Sequence, residues 1–141
     1  MSELYSEILL DHYRLPRNKG AMADETLKVE GKNPLCGDEL TLHLHVDDGV
    51  ISGLTFEGTG CAISMASASM LTEDLKGRNV ADVQRRIEQF RQFIRDGREP
   101  EGEPLEDLAA LSGVAQLPVR VKCATLPWTT MEEALKELAA R

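Results

Sequence analysis

Leu40-Thr41-Leu42-His43-Leu44-His45-Val46-Asp47-Asp48-Gly49-Val50-Ile51-Ser52-Gly53-Leu54-Thr55-Phe56-Glu57 is the stretch whose reading decides the fold. Leu40, Leu42, Leu44 and Val46 alternate with Thr41, His43 and His45, the period of two expected of a strand with one buried face. Asp47-Asp48-Gly49 is a turn signal, and Val50 to Glu57 reads as the returning strand. The pair is a hairpin, closed by Gly58-Thr59-Gly60. His43 and His45 share the face away from the core, where two histidines could chelate a metal, and the reading preferred is that they are ordinary residues of that face.

Upstream, residues 26–30 suit a short edge strand. Residues 2–14 place Leu4, Tyr5, Ile8, Leu9 and His12/Tyr13 on one helical face, with Ser2 as N-cap and Pro16 as the stop. Among those apolar neighbours His12 reads as a hydrogen-bonded core or interface histidine. Downstream the period changes. Ala62 to Leu71 is a helix of mostly small side chains, suited to lie close against the sheet, and Gly77 suits its end. After Asn79, apolar residues at Val80, Val83, Ile87, Phe90 and Ile94 step by three and four, the stripe of an amphipathic helix. Asp96 to Pro104 reads as a loop, Leu105 to Leu111 as a short helix, and Pro118 to Ala140 as a final helical region. Pro127 is expected to kink that region or to start its second half. A helix, then strands, then only helices predicts an α+β fold, with helices packed on one face of an antiparallel sheet. Its 141 residues suit one domain, 1–141.

Charge excludes some functions. The formal net charge of -8 repels phosphate backbones, so nucleic-acid binding is not expected. Arg85, Arg86, Arg91 and Arg95 are interspersed with Glu88 and glutamines and read as a solvated helix face. No apolar stretch reaches the ~20 residues of a membrane helix. Glu3 and Glu7 stand where a secretory leader would carry positive charge, which predicts a cytoplasmic protein. In that reducing compartment the three cysteines are expected to serve metal binding or thiol chemistry rather than disulfides.

Each cysteine falls at a structural junction. Cys36 and Asp38 flank Gly37 at the entry to the alternating strand, and residues two apart in extended chain point the same way. Cys61 opens a helix, where free N–H groups favour a thiolate. Cys123 follows Arg120 and Lys122. Three sulfurs and a carboxylate suit tetrahedral zinc, and they also resemble the thiolate set of an iron–sulfur cluster. The bound set would carry about two negative charges, which Arg120 and Lys122 are placed to offset. Spacing alone leaves both metals open, as well as a plain packing role for the cysteines, because no C-x-x-C pattern is present.

Four segments narrow the choice: Asp11-His12-Tyr13 with Pro16-Arg17-Asn18; Asn33-Pro34-Leu35-Cys36-Gly37-Asp38; Gly58-Thr59-Gly60-Cys61-Ala62-Ile63-Ser64 with Ala66-Ser67-Ala68-Ser69; and Val119-Arg120-Val121-Lys122-Cys123. In this order, over nearly the whole chain, they resemble the NifU/IscU-like iron–sulfur cluster assembly family, and within it the SufU branch most. The resemblance implies a small curved antiparallel sheet with helices on one face, and a site formed by Cys36, Asp38, Cys61 and Cys123. The scaffold branch builds a [2Fe–2S] cluster there and carries a histidine before the last cysteine, where this sequence has Lys122. This sequence also has extra chain, roughly Gln89 to Pro104. Both differences point to the SufU branch, which implies a zinc-dependent sulfurtransferase working with a PLP-dependent, SufS-like cysteine desulfurase and with downstream cluster-assembly proteins. Cys36 is the expected sulfur acceptor, because a glycine-flanked loop moves more easily than a helix. Arg120 is expected to contact a thiolate or the desulfurase. The alternative implied is a scaffold that builds a [2Fe–2S] cluster and passes it to apo-proteins.

Overall fold

The computed structural model describes residues 3–141. Helix α1 (Glu3–Arg14) is followed by strands β1 (Leu27–Asn33), β2 (Asp38–Asp47) and β3 (Val50–Thr59). Helices α2 (Ala62–Leu75) and α3 (Val80–Asp96), a 3₁₀ segment (Glu106–Gln116) and α4 (Pro118–Ala139) complete the order. The predicted N-cap Ser2 and the side chains of Leu4 and Tyr5 lie outside the described residues. No described helix is long and apolar enough to cross a membrane.

The three strands form one antiparallel sheet in the order β1-β2-β3. The predicted hairpin is its centre: Leu42 faces Phe56 and Leu44 faces Leu54, all with no exposed surface. Its turn is Asp48-Gly49, both at positive φ. The edge strand is longer than residues 26–30, because pairing continues until Asn33 meets Asp38. That extension places the Cys36 loop at the very end of the ladder.

Helices α2 and α4 pack on the leucine face of the sheet. Ser64 to Thr72 are all buried, for α2 lies between α1, α4 and the sheet, and the serines and alanines of the run let its neighbours approach closely. Ser67 Oγ donates to the Ala124 carbonyl across the α2–α4 contact at 2.6 Å, and Trp128 Nε1 donates to the same hydroxyl. Pro127 neither ends nor divides α4, which runs through it as one helix. Lacking an N–H, Pro127 leaves the carbonyl of Cys123, four residues earlier, without its helical donor. On α3, Asn79 caps the N-terminus, and Val83, Ile87, Phe90 and Ile94 are buried as the stripe predicts. Phe90 stacks on Trp128 with centroids 4.2 Å apart.

Three expectations need correction. Arg86 is no part of a solvated face: it is 1% exposed, held by Asp74 through two hydrogen bonds and by the Pro104 carbonyl. Arg85, Arg91 and Arg95 do face solvent. Tyr13 is exposed, and its neighbour His12 takes the buried position on α1. His43 does lie on the face away from the leucines, yet it is buried, because Glu25 and Glu57 fold over that face and bond its two ring nitrogens.

The loop after α3 is held down by charge. Hydrogen bonds from Arg78, and then Arg85, bring the Glu103 carboxyl down to about 2. A lowered carboxyl stabilises the fold above its unfolded value of 4.5, and that gain is lost as pH falls through 4.5 toward 2. Glu103→Gln is therefore expected to flatten the acid limb of a stability–pH curve in that window. The loss at neutral pH should be only about 1 kcal/mol, since the pair is partly solvated. Urea melts at a series of pH values measure both.

Candidate metal centre

At the Cys36 end of the sheet, strand, loop and helix bring chemistry together. Gly37 adopts φ 70° and turns the chain between Cys36 and Asp38. The turn starts with the Cys36 N–H donating to the Asn33 carbonyl at 3.2 Å. Asp38 is 1% exposed. Its Oδ1 accepts the Cys61 N–H at 2.9 Å, while its Oδ2 is buried with no hydrogen-bond partner. Gly60 makes this approach possible, because a Cβ there would lie 2.6 Å from both Asp38 Oδ1 and Ser64 Oγ.

Cys123 comes from the second turn of α4, buried against the sheet end. Its thiol lies 3.3 Å from the Cys36 sulfur, well beyond a disulfide bond, and both cysteines are free. One ligand atom each from Cys36, Asp38 and Cys123 lie within 4.8 Å of one another. Cys61 is not in that set. Its sulfur accepts the Ser64 N–H at 3.4 Å and so caps its own helix. It still adds to the electrostatics of Cys123, whose thiol is pushed up to about 12 by burial first, then by hydrogen bonds with Cys36 and Cys61.

The cations differ. Arg120 is raised above its ordinary value, chiefly by a hydrogen bond with Cys123 and then by the charges of Cys61, Cys123 and Cys36. Lys122 is exposed and lines a groove with Asn33, Pro34, Leu35 and Thr125 instead.

Comparison with known proteins places this arrangement. A family model described as the NifU-like N-terminal domain matches residues 4–124. The chain belongs to the NifU-like N-terminal domain family. Among relatives of this family, the chain is 38% identical over 135 residues to the zinc-dependent sulfurtransferase SufU of Bacillus subtilis, covering 96% of this chain and 91% of that one. It is 41% identical over 136 residues to the iron–sulfur cluster assembly scaffold protein IscU of Thermotoga maritima, covering 96% and 95%. Among solved structures, FiSufU of Fervidobacterium islandicum superposes with a TM-score of 0.85 at 34% identity over 96% of this chain and 99% of that one. A NifU-like N-terminal chain from Brucella abortus superposes at 0.86 with 18% identity, over 97% and 95%, which shows the shared fold alone.

In this NifU-like site, the donors present fit a resident cation. Two sulfurs and a carboxylate converge, a third sulfur borders them, and a buried carboxylate oxygen has no other partner. Such a donor set is one that zinc accepts. Ser64 and Gly60 were not singled out by the sequence reading as site residues. The spacing Cys61-x-x-Ser64 was the available signal, because a residue three after an N-cap can bond back to it. His12 and His45 stand apart: His12 is fully buried between Ser69 and Asp107, as expected, and His45 meets Ser52.

Proposed function

We propose that this chain, acting as one domain, is an iron–sulfur cluster assembly protein that accepts persulfide sulfur from a PLP-dependent cysteine desulfurase at Cys36. The reading rests on one observation: the Cys36 sulfur, half-buried on a glycine turn, meets the Cys123 sulfur and a carboxylate oxygen of Asp38 within 4.8 Å, and Asp38 is a buried carboxylate whose Oδ2 has no hydrogen-bond partner. Cys36, Asp38, Cys61 and Cys123 would hold zinc, which supplies the positive charge that keeps thiols deprotonated at neutral pH. Arg120 lends a further positive charge from the exposed side.

The transfer itself is thiol–disulfide exchange. The Cys36 thiolate attacks the outer sulfur of the donor's persulfide. A new S–S bond forms at Cys36, the donor's own S–S bond breaks, and the donor cysteine leaves as a thiolate that takes up a proton. Leu35, 80% exposed beside Cys36, and Val119, 73% exposed near Arg120, give the site an apolar rim on which a partner can dock. Both belong to the segments whose resemblance to the family the sequence carries. The sulfur then passes to downstream cluster-assembly proteins.

A second reading is favoured by the 41% identity to an IscU scaffold: the same residues would build a [2Fe–2S] cluster as cargo for apo-proteins. The purified chain should be mixed with a cysteine desulfurase and cysteine, and its intact mass and metal content read together. One added sulfur on Cys36, with zinc retained and desulfurase turnover raised, is the expected result. A stable iron–sulfur chromophore without any gain in turnover would overturn sulfur transfer in favour of the scaffold.

A further inference from the structure

Asn33 and Asp38 are register partners at the last step of the β1–β2 ladder. Both occupy the face that carries Leu27, Val29, Leu40 and Leu42, and they are 6% and 1% exposed. Directly opposed residues of an antiparallel pair hold their Cβ atoms about 5 Å apart. Asn33 Nδ2 is a buried donor with no partner, and Asp38 Oδ2 is a buried acceptor with none. A complementary donor and acceptor thus stand across one ladder step, each unsatisfied.

An orphaned amide is costly in a dry environment, and it contributes nothing there that a leucine would not supply better. The turn that carries Cys36 does not require it, since the bond from the Cys36 N–H goes to the backbone carbonyl of Asn33, which any residue retains. The fold thus leaves the Asn33 amide free to bond a neighbour. Metal-binding carboxylates are themselves hydrogen-bonded by outer groups that fix which oxygen faces the ion. The Oδ1 side of Asp38 already has such a group in the Cys61 N–H, packed against Gly60. On the Oδ2 side, Asn33 is the opposing residue of the ladder, and a carboxylate oxygen has lone pairs for an amide and a cation together.

We propose that Asn33 is a positioning residue for Asp38: in the loaded site its amide N–H donates to the Asp38 carboxylate and sets the orientation in which that group meets the metal. This rests on the zinc reading above. Asn33 acts through Asp38 and touches neither the ion nor the sulfur.

The test is zinc affinity at fixed neutral pH, by competition with a chromophoric chelator, alongside thermal melts of the metal-free chain. Asn33→Leu removes the donors at nearly constant size. It is expected to leave the metal-free melting temperature unchanged or raised, and to weaken zinc binding by about tenfold or more. In an Asp38→Ala background the same change should have no further effect on affinity, because the partner is gone. Asn33→Ala is the second variant should leucine prevent folding, with the same expectation for affinity and for its coupling to Asp38. Wild-type affinity in the Asn33 variants, or an equal loss in both backgrounds, overturns the inference while leaving the zinc reading standing. A wild-type chain that holds no zinc overturns the zinc reading itself, and the inference with it.

Discussion

Cys36→Ala is expected to reduce sulfur acceptance from a desulfurase by roughly 10³-fold or more, the scale seen when a reacting group is removed. The metal-free fold should change by no more than about 1 kcal/mol. Cys36 sits on a turn between the exposed Leu35 and Gly37, outside the apolar core, so little packing is lost with its sulfur. Cys123→Ala should behave differently. Its side chain is fully buried on α4, so both metal retention and local packing suffer. Intact mass after exposure to desulfurase and cysteine, read against thermal melts of the same metal-free variants, separates the two cysteines. If Cys36→Ala unfolds the chain as it abolishes transfer, the site is a structural staple and the acceptor role fails.

Asp74→Ala is expected to cause a large loss of stability at a point far from this chemistry. Arg86 is buried, and Asp74 takes its Nε and Nη2 at 2.8 and 3.0 Å. Removing the carboxylate strands a guanidinium whose remaining hydrogen-bond partners are neutral: the Pro104 carbonyl at 2.8 Å, the Gln89 side chain at 3.2 Å and the Glu103 carbonyl at 3.4 Å. Breaking one side of a buried pair costs about 3–5 kcal/mol, which for a chain of this size lowers the melting temperature by roughly 10 °C. Arg86→Met should cost less, because the Asp74 carboxylate it leaves behind is 14% exposed and keeps Arg78 as a partner at 3.5 Å. Asp74 lies at the far end of α2 from Cys61, about 20 Å along the helix, so zinc affinity should be unchanged in both variants. A drop of less than about 3 °C in Asp74→Ala would show that the pair contributes little.

These two sites differ in how far they could be read from the residues. The hairpin from Leu40 to Glu57, the α3 stripe after Asn79 and the loop ahead of Leu105 are all legible, because each is a local pattern. Arg86 was misread for the same reason. Gln84 and Arg85 before it are polar, and only Asp74 of α2 and the Glu103–Pro104 loop enclose it. His43 shows a similar failure on the sheet. Alternation correctly gave its face, but Glu25 and Glu57, which cover it, lie on other segments.

The metal centre divides along the same line. Sequence by itself determined the donor types, the glycine turn that frees Cys36, and the helix start at Cys61. It also determined the family, through four segments whose order is specific. The resemblance implies which four residues gather, and the tertiary structure decides which of them touch. Cys36 and Cys123 are 87 residues apart and touch because α4 crosses the end of the β1–β2 ladder. Cys61 turns its sulfur to Ser64, and Asn33 comes to face Asp38 only through strand register. The physical reason is that periodicity encodes the direction of a side chain within its own element. Convergence depends instead on how elements pack, and no local pattern along the chain records it.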